Sequence, residues 1–286
     1  MSDAQVSLKK PEGYRPPPKV LSLGVADIAD AAGRGMADFR AQPMYGLIFG
    51  GLYAVGGIIV LLAAAQFDMV YLSYPLATGF ALIGPFIATG LYEVSRRLEN
   101  NGELSLGGVF AVIFEQRKRE LSWMAFVVLF IFIMWMYQVR LLLALFLGFE
   151  PISTLPEFLD TLLTTTNGLL FLAVGHMVGA ILAATLFSLS VISFPMLLDR
   201  DVDFITAMVT SVQTVVKNPI PMLGWAAVVT ALLIVASIPM FLGLLVVLPI
   251  LGHTTWHIYR KAVAEQEPPA AASGKRKTRA KPKAAG

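Results

Sequence analysis

Long apolar runs alternate along the chain with short segments that carry charged and turn-forming residues. Most of these runs reach the ~20 residues that an α-helix needs to cross a hydrocarbon core about 30 Å thick. The pattern therefore predicts an all-α membrane protein with six transmembrane helices. The predicted spans are residues 44–65, 73–94, 122–147, 168–198, 222–237 and 240–259.

Three shorter segments, 26–39, 104–114 and 202–216, precede outward-running spans. Segment 26–39 places four apolar side chains on one side at helical spacing, which predicts an amphipathic helix on the membrane surface. Segment 104–114 is apolar but too short to cross a bilayer, so we expect it to lie at the interface or to re-enter partway. Segment 202–216 repeats the surface-helix pattern. The apolar side chains of the first segment are Ile28, Ala32, Met36 and Phe39.

The two ends differ from the middle of the chain. Residues 1–20 are polar and rich in proline, and residues 262–286 are mostly Ala, Pro, Lys and Arg without periodicity, which predicts a disordered arm and a disordered basic tail. Residues 21–261 would form the membrane domain.

The composition, 56% apolar and 14% charged with a mean hydropathy of +0.70, excludes an ordinary soluble domain. Since the chain has no cysteine, disulfides and thiolate metal sites are excluded as well.

Basic residues are distributed unevenly about the predicted spans. Of the 22 Lys and Arg, 21 lie before residue 44, after residue 259, or on the 95–121 and 199–221 connections, and Arg140 is the exception. Because cytoplasmic loops collect Lys and Arg, both termini are predicted to be cytoplasmic and the acidic 150–167 loop to lie outside. The chain is thus expected to be a multi-pass membrane protein with both ends on the cytoplasmic side.

A weak repeat follows three prolines, Pro85, Pro195 and Pro249. Each proposed unit has a surface helix, a basic turn, an outward span and an inward span, which predicts three helix pairs entering from the same side as parallel repeats. The alternative is that inner helix ends simply collect charges. Counted from each proline, the fourth position holds Thr89, Asp199 and His253, and the eighth holds Glu93, Asp203 and His257.

The repeat brings together five residues with metal-binding chemistry: His253, His257, Asp199, Asp203 and Glu93. Residues four apart share a helix face, so the two histidines could bind one metal ion or a haem edge, and the carboxylates could complete an imidazole and carboxylate site facing the cytoplasm. The alternative is that these side chains cap helix ends and form ion pairs. The arginines available for such pairs are Arg96, Arg97, Arg200 and Arg260.

Two further polar residues lie inside predicted spans. His176, between Gly175 and Gly179, is a candidate proton relay or haem ligand, because intramembrane titratable groups are rare and usually functional. The alternative is a hydrogen bond to a neighbouring helix across the glycine gap. Arg140 could pair with Glu150 or extend to the outer headgroups.

Four segments resemble the domain of unknown function 2189 family (DUF2189) of bacterial integral membrane proteins: DFRAQPMYGLIFGGLYAVGG, GPFIATGLYEVSRRLE, SFPMLLDRDVD and LPILGHTTWHIYR. The resemblance covers roughly residues 20–262 and implies a multi-span inner-membrane protein. Some family members carry a cytochrome c oxidase subunit label. The chain differs from the catalytic oxidase subunit, which needs six histidines for its haems and copper, whereas this chain has three. The resemblance supplies no catalytic residues.

The sequence lacks the common motifs of catalytic and nucleotide-binding sites. The chain has no GxxxxGK[ST] phosphate loop, HExxH, GxSxG or dinucleotide-binding glycine motif, so we predict a non-enzymatic protein without a resident cofactor. The expected function is an accessory, assembly or scaffold role in a membrane complex such as a terminal oxidase. The alternative is a small transporter or channel for a metal ion or small solute. Expected partners are the bilayer, anionic lipids at the cytoplasmic face and other membrane subunits, but not nucleic acid, because the basic tail lacks aromatic residues.

Overall fold

The computed structural model describes residues 18–66, 82–117, 120–148 and 155–265, and the regular secondary structure within these ranges is α-helical, apart from one isolated bridge between Val20 and Val263. This confirms the predicted all-α class. The helices are α1 Val25–Ala41, α2 Pro43–Gln66, α3 Gly84–Glu99, α4 Leu106–Arg117, α5 Leu121–Phe146, α6 Leu155–Thr164, α7 Thr166–Ser190, α8 Ser193–Asp199, α9 Phe204–Lys217, α10 Pro219–Ser237 and α11 Leu244–Ala262.

In the described part of the chain, four segments are long and apolar enough to cross a membrane: Pro43–Val60, Leu121–Phe146, Thr166–Asp199 and Pro219–Ser237. They correspond to the predicted first, third, fourth and fifth spans. Residues 73–81 of the predicted second span lie outside the described residues, and the predicted sixth span overlaps α11, which is not among the four. The protein is therefore an integral membrane protein with several apolar helices, and the count of six stays a prediction.

The predicted fourth span is not one continuous helix. It divides into α7 and α8 at Val191 and Ile192. Pro195 explains the break, because proline has no backbone N–H and its ring clashes with the carbonyl four residues earlier, here that of Val191.

Three stretches that lie in the segments of the sequence repeat are buried throughout. Residues 88–95 of α3, 193–198 of α8 and 251–259 of α11 are all buried. The rings of Phe86 and Phe194 meet edge to face at 4.9 Å, and Leu91 packs directly against Gly252. In chain order, α1 precedes α2, α4 precedes α5 and α9 precedes α10, which is the order that the proposed repeat requires.

Helix α1, which the sequence predicts to lie on the membrane surface, also packs on another helix. It packs along the carboxyl-terminal half of α11, where Ala31 and Gly35 are buried and Lys261 pairs with Asp27 and Asp30. One side of α1 therefore covers α11. The contact is close because Gly35 has no side chain: a Cβ atom there would lie 2.6 Å from the backbone nitrogen of Thr254.

The connections between the long helices contain shorter helices, and the two ends of the domain pair with each other. The apolar segment 104–114 forms most of α4, which packs on α3 and places Phe110 5.5 Å from Phe49. The described part of the acidic loop contains α6. Residues 18–20 and 263–265, assigned above to the arm and the tail, pair with each other through the Val20–Val263 bridge, which extends the membrane domain by a few residues. Residues 1–17 and 266–286 lie outside the described residues.

Candidate functional site

A buried hydrogen-bonded network joins α1, α3 and α11. The Asp38 carboxylate accepts from the Ser95 hydroxyl at 2.6 Å and from His257 Nε2 at 2.8 Å through the same oxygen, Oδ2. Ser95 Oγ also lies 2.7 Å from His253 Nδ1. Four polar side chains from three helices thus form one continuous chain, which we call the Asp38 network.

The directions of these hydrogen bonds determine the tautomer of His253. The Ser95 hydroxyl has one hydrogen, and it is donated to Asp38, so Ser95 Oγ must accept from His253 Nδ1–H. His253 is fully buried, and its Nε2 atom makes no hydrogen bond to any described residue. Asp38 and His257 retain some exposure. The network therefore leads from a partly exposed carboxylate to an enclosed imidazole.

Ionised Asp38 stabilises this arrangement. Burial opposes its ionisation, but the hydrogen bonds from His257 and Ser95 outweigh burial and hold the pKa of Asp38 below its usual value. Because the folded pKa is lower than the unfolded one, the stabilisation is present above about pH 4 and is lost as the pH falls through the folded pKa.

Asp38→Asn is expected to lower the free energy of unfolding by about 1–3 kcal/mol near neutral pH, because the amide removes the charge that strengthens two hydrogen bonds. Thermal unfolding in detergent at a series of pH values measures the effect. The difference from the wild type should shrink as the pH falls below about 4 and should vanish below the folded pKa of Asp38, where the wild-type carboxylate is also neutral. Asp160→Asn, at an exposed position of α6, is the control and should change little. A difference that does not depend on pH would contradict this account.

Glu93 belongs to a second, separate cluster. Its carboxylate is fully buried, and Arg96 donates to both of its oxygens at 2.7 and 3.0 Å, while Arg97 Nε donates at 2.6 Å. Spacings of three and four residues place both arginines beside Glu93 on one face of α3. The carboxylate is therefore neutralised within its own helix.

Asp199 lies in a third cluster, which ties α8 to α11 and α3. The Tyr259 hydroxyl donates to Asp199 at 2.6 Å and accepts from Arg200 Nε at 2.7 Å. Arg260 reaches Asp199 at 3.5 Å and Glu99 at 3.1 Å. These contacts join the carboxyl-terminal ends of three helices by charge-assisted hydrogen bonds.

Asp203 belongs to none of these three clusters and acts as the amino-terminal cap of α9. Its carboxylate accepts from the Thr206 hydroxyl at 2.6 Å and from the Thr206 backbone N–H at 2.8 Å. The Thr206 hydroxyl and the backbone N–H hold the pKa of Asp203 below its usual value. This is the behaviour of a helix cap.

The structure does not bring the five predicted metal ligands together. His253 and His257 lie in the Asp38 network, Glu93 pairs with arginines, Asp199 binds Tyr259, and Asp203 caps a helix. Among the described residues, no group of three or more His, Asp or Glu side chains is arranged to hold a metal ion. The contacts of the three carboxylates match the alternative interpretation of helix capping and ion pairing.

His176 is exposed on α7 and does not bond across the glycine gap. Its Nδ1 lies 2.7 Å from the Leu172 carbonyl of the same helix. Helix α5 packs against this glycine surface instead. A Cβ atom built on Gly179 would lie 3.3 Å from the Trp135 ring. Arg140 is also exposed, and Glu150 lies outside the described residues.

Sequence reasoning missed Ser95 and the role of Asp38. Both are ordinary polar residues, and they are 57 positions apart, so no helical spacing relates them. The one available signal for Ser95 was its place in the segment after Pro85, two residues beyond Glu93.

The comparisons with known proteins agree with the membrane assignment. Residues 73–199 match the family model described as "Predicted integral membrane protein (DUF2189)". The DUF2189 match contains Glu93, Ser95 and Asp199, whereas the resemblance noted for 38–57 and 248–260 lies outside it. No curated protein and no solved structure matches the chain at a significant level.

Proposed function

We propose that this protein is a non-enzymatic accessory or scaffold component of the bacterial inner membrane, with both termini in the cytoplasm, that binds another membrane subunit through the α5–α7 hairpin. The observation that carries the proposal is the exposure of two polar side chains, His176 and Arg140, on helices that are candidate membrane spans. A polar group facing hydrocarbon is costly unless another protein satisfies it.

Helices α5 and α7 form an antiparallel pair, and its geometry supports the surface around Arg140 and His176 as a binding site for a partner. Trp135 packs on Gly179 and Leu142 lies near Gly175, so the register of the antiparallel pair brings Arg140 and His176 to similar depth. The most apolar stretch of α7 contains no buried residue. A neighbouring subunit that offers hydrogen-bonding groups at this depth would satisfy both side chains.

The carboxylates argue against the transporter alternative. A cation-transport site needs carboxylates whose charge is available to the solute. Glu93 is instead neutralised by two arginines and Asp199 is held by Tyr259 and Arg260. These groups stabilise the inner end of the bundle, which suits a scaffold better than a solute path.

The proposed orientation agrees with the positions of the cations. Arg260 and Lys261 lie at the carboxyl end of α11, near Arg200 and the amino end of α1. Cations gathered at one end of a bundle favour the cytoplasmic side and attract anionic lipid, with about 1 kcal/mol for each near-surface charge.

Extraction of the native membrane with mild detergent should bring other membrane subunits along with the wild-type protein. The double variant His176→Leu/Arg140→Leu should lose them several-fold, because each lost intramembrane hydrogen bond weakens association by about 1–2 kcal/mol. Quantitative mass spectrometry of the purified material is the measurement. Ile181→Leu, an exposed apolar change on the same helix, is the matched control. A solitary wild-type monomer, or a double variant that keeps every subunit, would overturn the proposal.

A further inference from the structure

The short helix α9 exposes a row of apolar side chains and buries hydroxyl side chains, which is the reverse of a helix on the surface of a soluble protein. Its buried side includes the hydroxyl residues Thr210, Ser211 and Thr214. Its outward side is an apolar stripe of Ile205, Val209, Val212 and Val216, at spacings of three and four residues, and three of these are strongly exposed. A helix normally turns its apolar stripe towards the protein core.

The buried hydroxyls have hydrogen-bond partners, so their inward position is favourable. Thr210 donates to the Thr206 carbonyl at 2.7 Å and Thr214 donates to the Thr210 carbonyl at 2.8 Å. Ser211 Oγ accepts from the backbone N–H of Ile192, between α7 and α8. Rotating α9 to bury its apolar stripe would break this last bond and leave a buried donor unpaired.

Both ends of α9 connect to the same end of α11. The helix α8 that precedes it ends at Asp199, which binds Tyr259. Asn218, which follows it, accepts from the Leu23 backbone N–H, and the neighbouring Leu21 donates to the Ala262 carbonyl. Because the segments before and after α9 both contact the carboxyl end of α11, the two ends of α9 lie at similar depth. Helix α9 therefore runs across the bundle and not along it. At 14 residues it is also only about 21 Å long, too short to cross a bilayer.

The apolar stripe continues the lipid-facing surface of the flanking spans. Phe204 at the start of α9 stacks on Trp123 of α5, with ring centroids 5.7 Å apart, and Trp123 and Phe126 are exposed. After α9, the first residues of α10 expose Ile220. Tryptophan is typical of the boundary between headgroups and acyl chains.

Helix α1 lies at the same end of the molecule but has a different outer surface. Its outward positions include Asp30, Arg34 and Arg40 together with small residues. That surface suits water, whereas the outer surface of α9 does not. The two short helices that the sequence treats as equivalent therefore differ in their surroundings.

We propose that α9 is a membrane-embedded interfacial helix whose Ile205–Val216 stripe binds the acyl chains of the lipid leaflet at this end of the spans. Asp203 at its amino end and Lys217 at its carboxyl end are polar and exposed, so they would lie at headgroup level on either side of the stripe. This inference does not depend on which leaflet is cytoplasmic or on whether the α5–α7 hairpin binds a partner.

The absence of cysteine from the chain allows a direct test. Nitroxide labels are attached to Ile205→Cys and Val209→Cys, to Ala29→Cys on the outer side of α1 as the water control, and to Leu129→Cys on α5 as the hydrocarbon control. The purified full-length protein is reconstituted in lipid nanodiscs, and collisions with oxygen and with a water-soluble nickel chelate are measured. Unfolding temperatures close to that of the unlabelled protein establish that each variant is folded.

Labels at 205 and 209 are expected to resemble the label at 129, with frequent oxygen collisions and several-fold fewer nickel collisions than at 29. If they resemble the label at 29, α9 lies in water and the proposal is wrong. If neither reagent reaches them, protein covers the stripe, either a second copy or another part of the chain, and lipid is not its partner.

Discussion

Replacing Arg96 and Arg97 together with methionine is expected to lower the free energy of unfolding by about 3–5 kcal/mol. These arginines supply three hydrogen bonds to the fully buried Glu93 carboxylate. Without them, Glu93 must remain charged in an apolar centre or take up a proton, and either outcome costs free energy. Denaturant titration in detergent micelles, with the midpoint and slope fitted separately, is the measurement.

A rescue variant separates this charge effect from lost packing. In Glu93→Gln/Arg96→Met/Arg97→Met the buried charge is absent, so a large part of the lost stability should return although both arginines are still missing. Arg34→Met breaks an exposed pair with Asp30 at the same helical spacing and should change stability little. A triple variant no more stable than the double variant would mean that Arg96 and Arg97 act mainly through packing.

The sequence predicted the helical class because that class depends on patterns along one chain segment. Apolar runs of sufficient length predicted α2, α5, α7 and α10. The three similar segments after Pro85, Pro195 and Pro249 pack together as the repeat suggested. Spacing also explains the Glu93 cluster, since residues three and four apart on a helix are neighbours.

Contacts between helices could not be predicted in this way. Asp38 is 219 positions from His257, and no periodicity relates residues on different helices. Helical spacing correctly placed His253 and His257 on one face but gave no indication that a serine and an aspartate occupy the space beside them. The same limit explains α1, whose amphipathic pattern identifies an apolar side but not whether lipid or protein covers it.

Gly35→Ala is expected to destabilise the protein by about 1–3 kcal/mol, the usual cost of forcing an extra methyl group into a closely packed contact. A Cβ at Gly35 would lie 2.6 Å from the Thr254 nitrogen and 2.9 Å from its Cα. These are backbone atoms of a buried helix, so they cannot rotate away as a flexible side chain can. Helix α1 must move away from α11 instead, and the bond from His257 to Asp38, one turn further along α1, should lengthen. Thermal unfolding in detergent measures the loss of stability.

Gly33→Ala provides the matched control two residues earlier in the same helix. No atom lies within 4 Å of a Cβ built at Gly33, so alanine meets no obstacle there and gains helix propensity. That change should stabilise the protein by about 0.4–1 kcal/mol, opposite in sign to Gly35→Ala. Because the two variants make the same chemical change in the same helix, opposite signs can arise only from the contact with α11. If both variants stabilise the protein, α1 does not pack on α11 at this distance, and the Asp38 network cannot form as described.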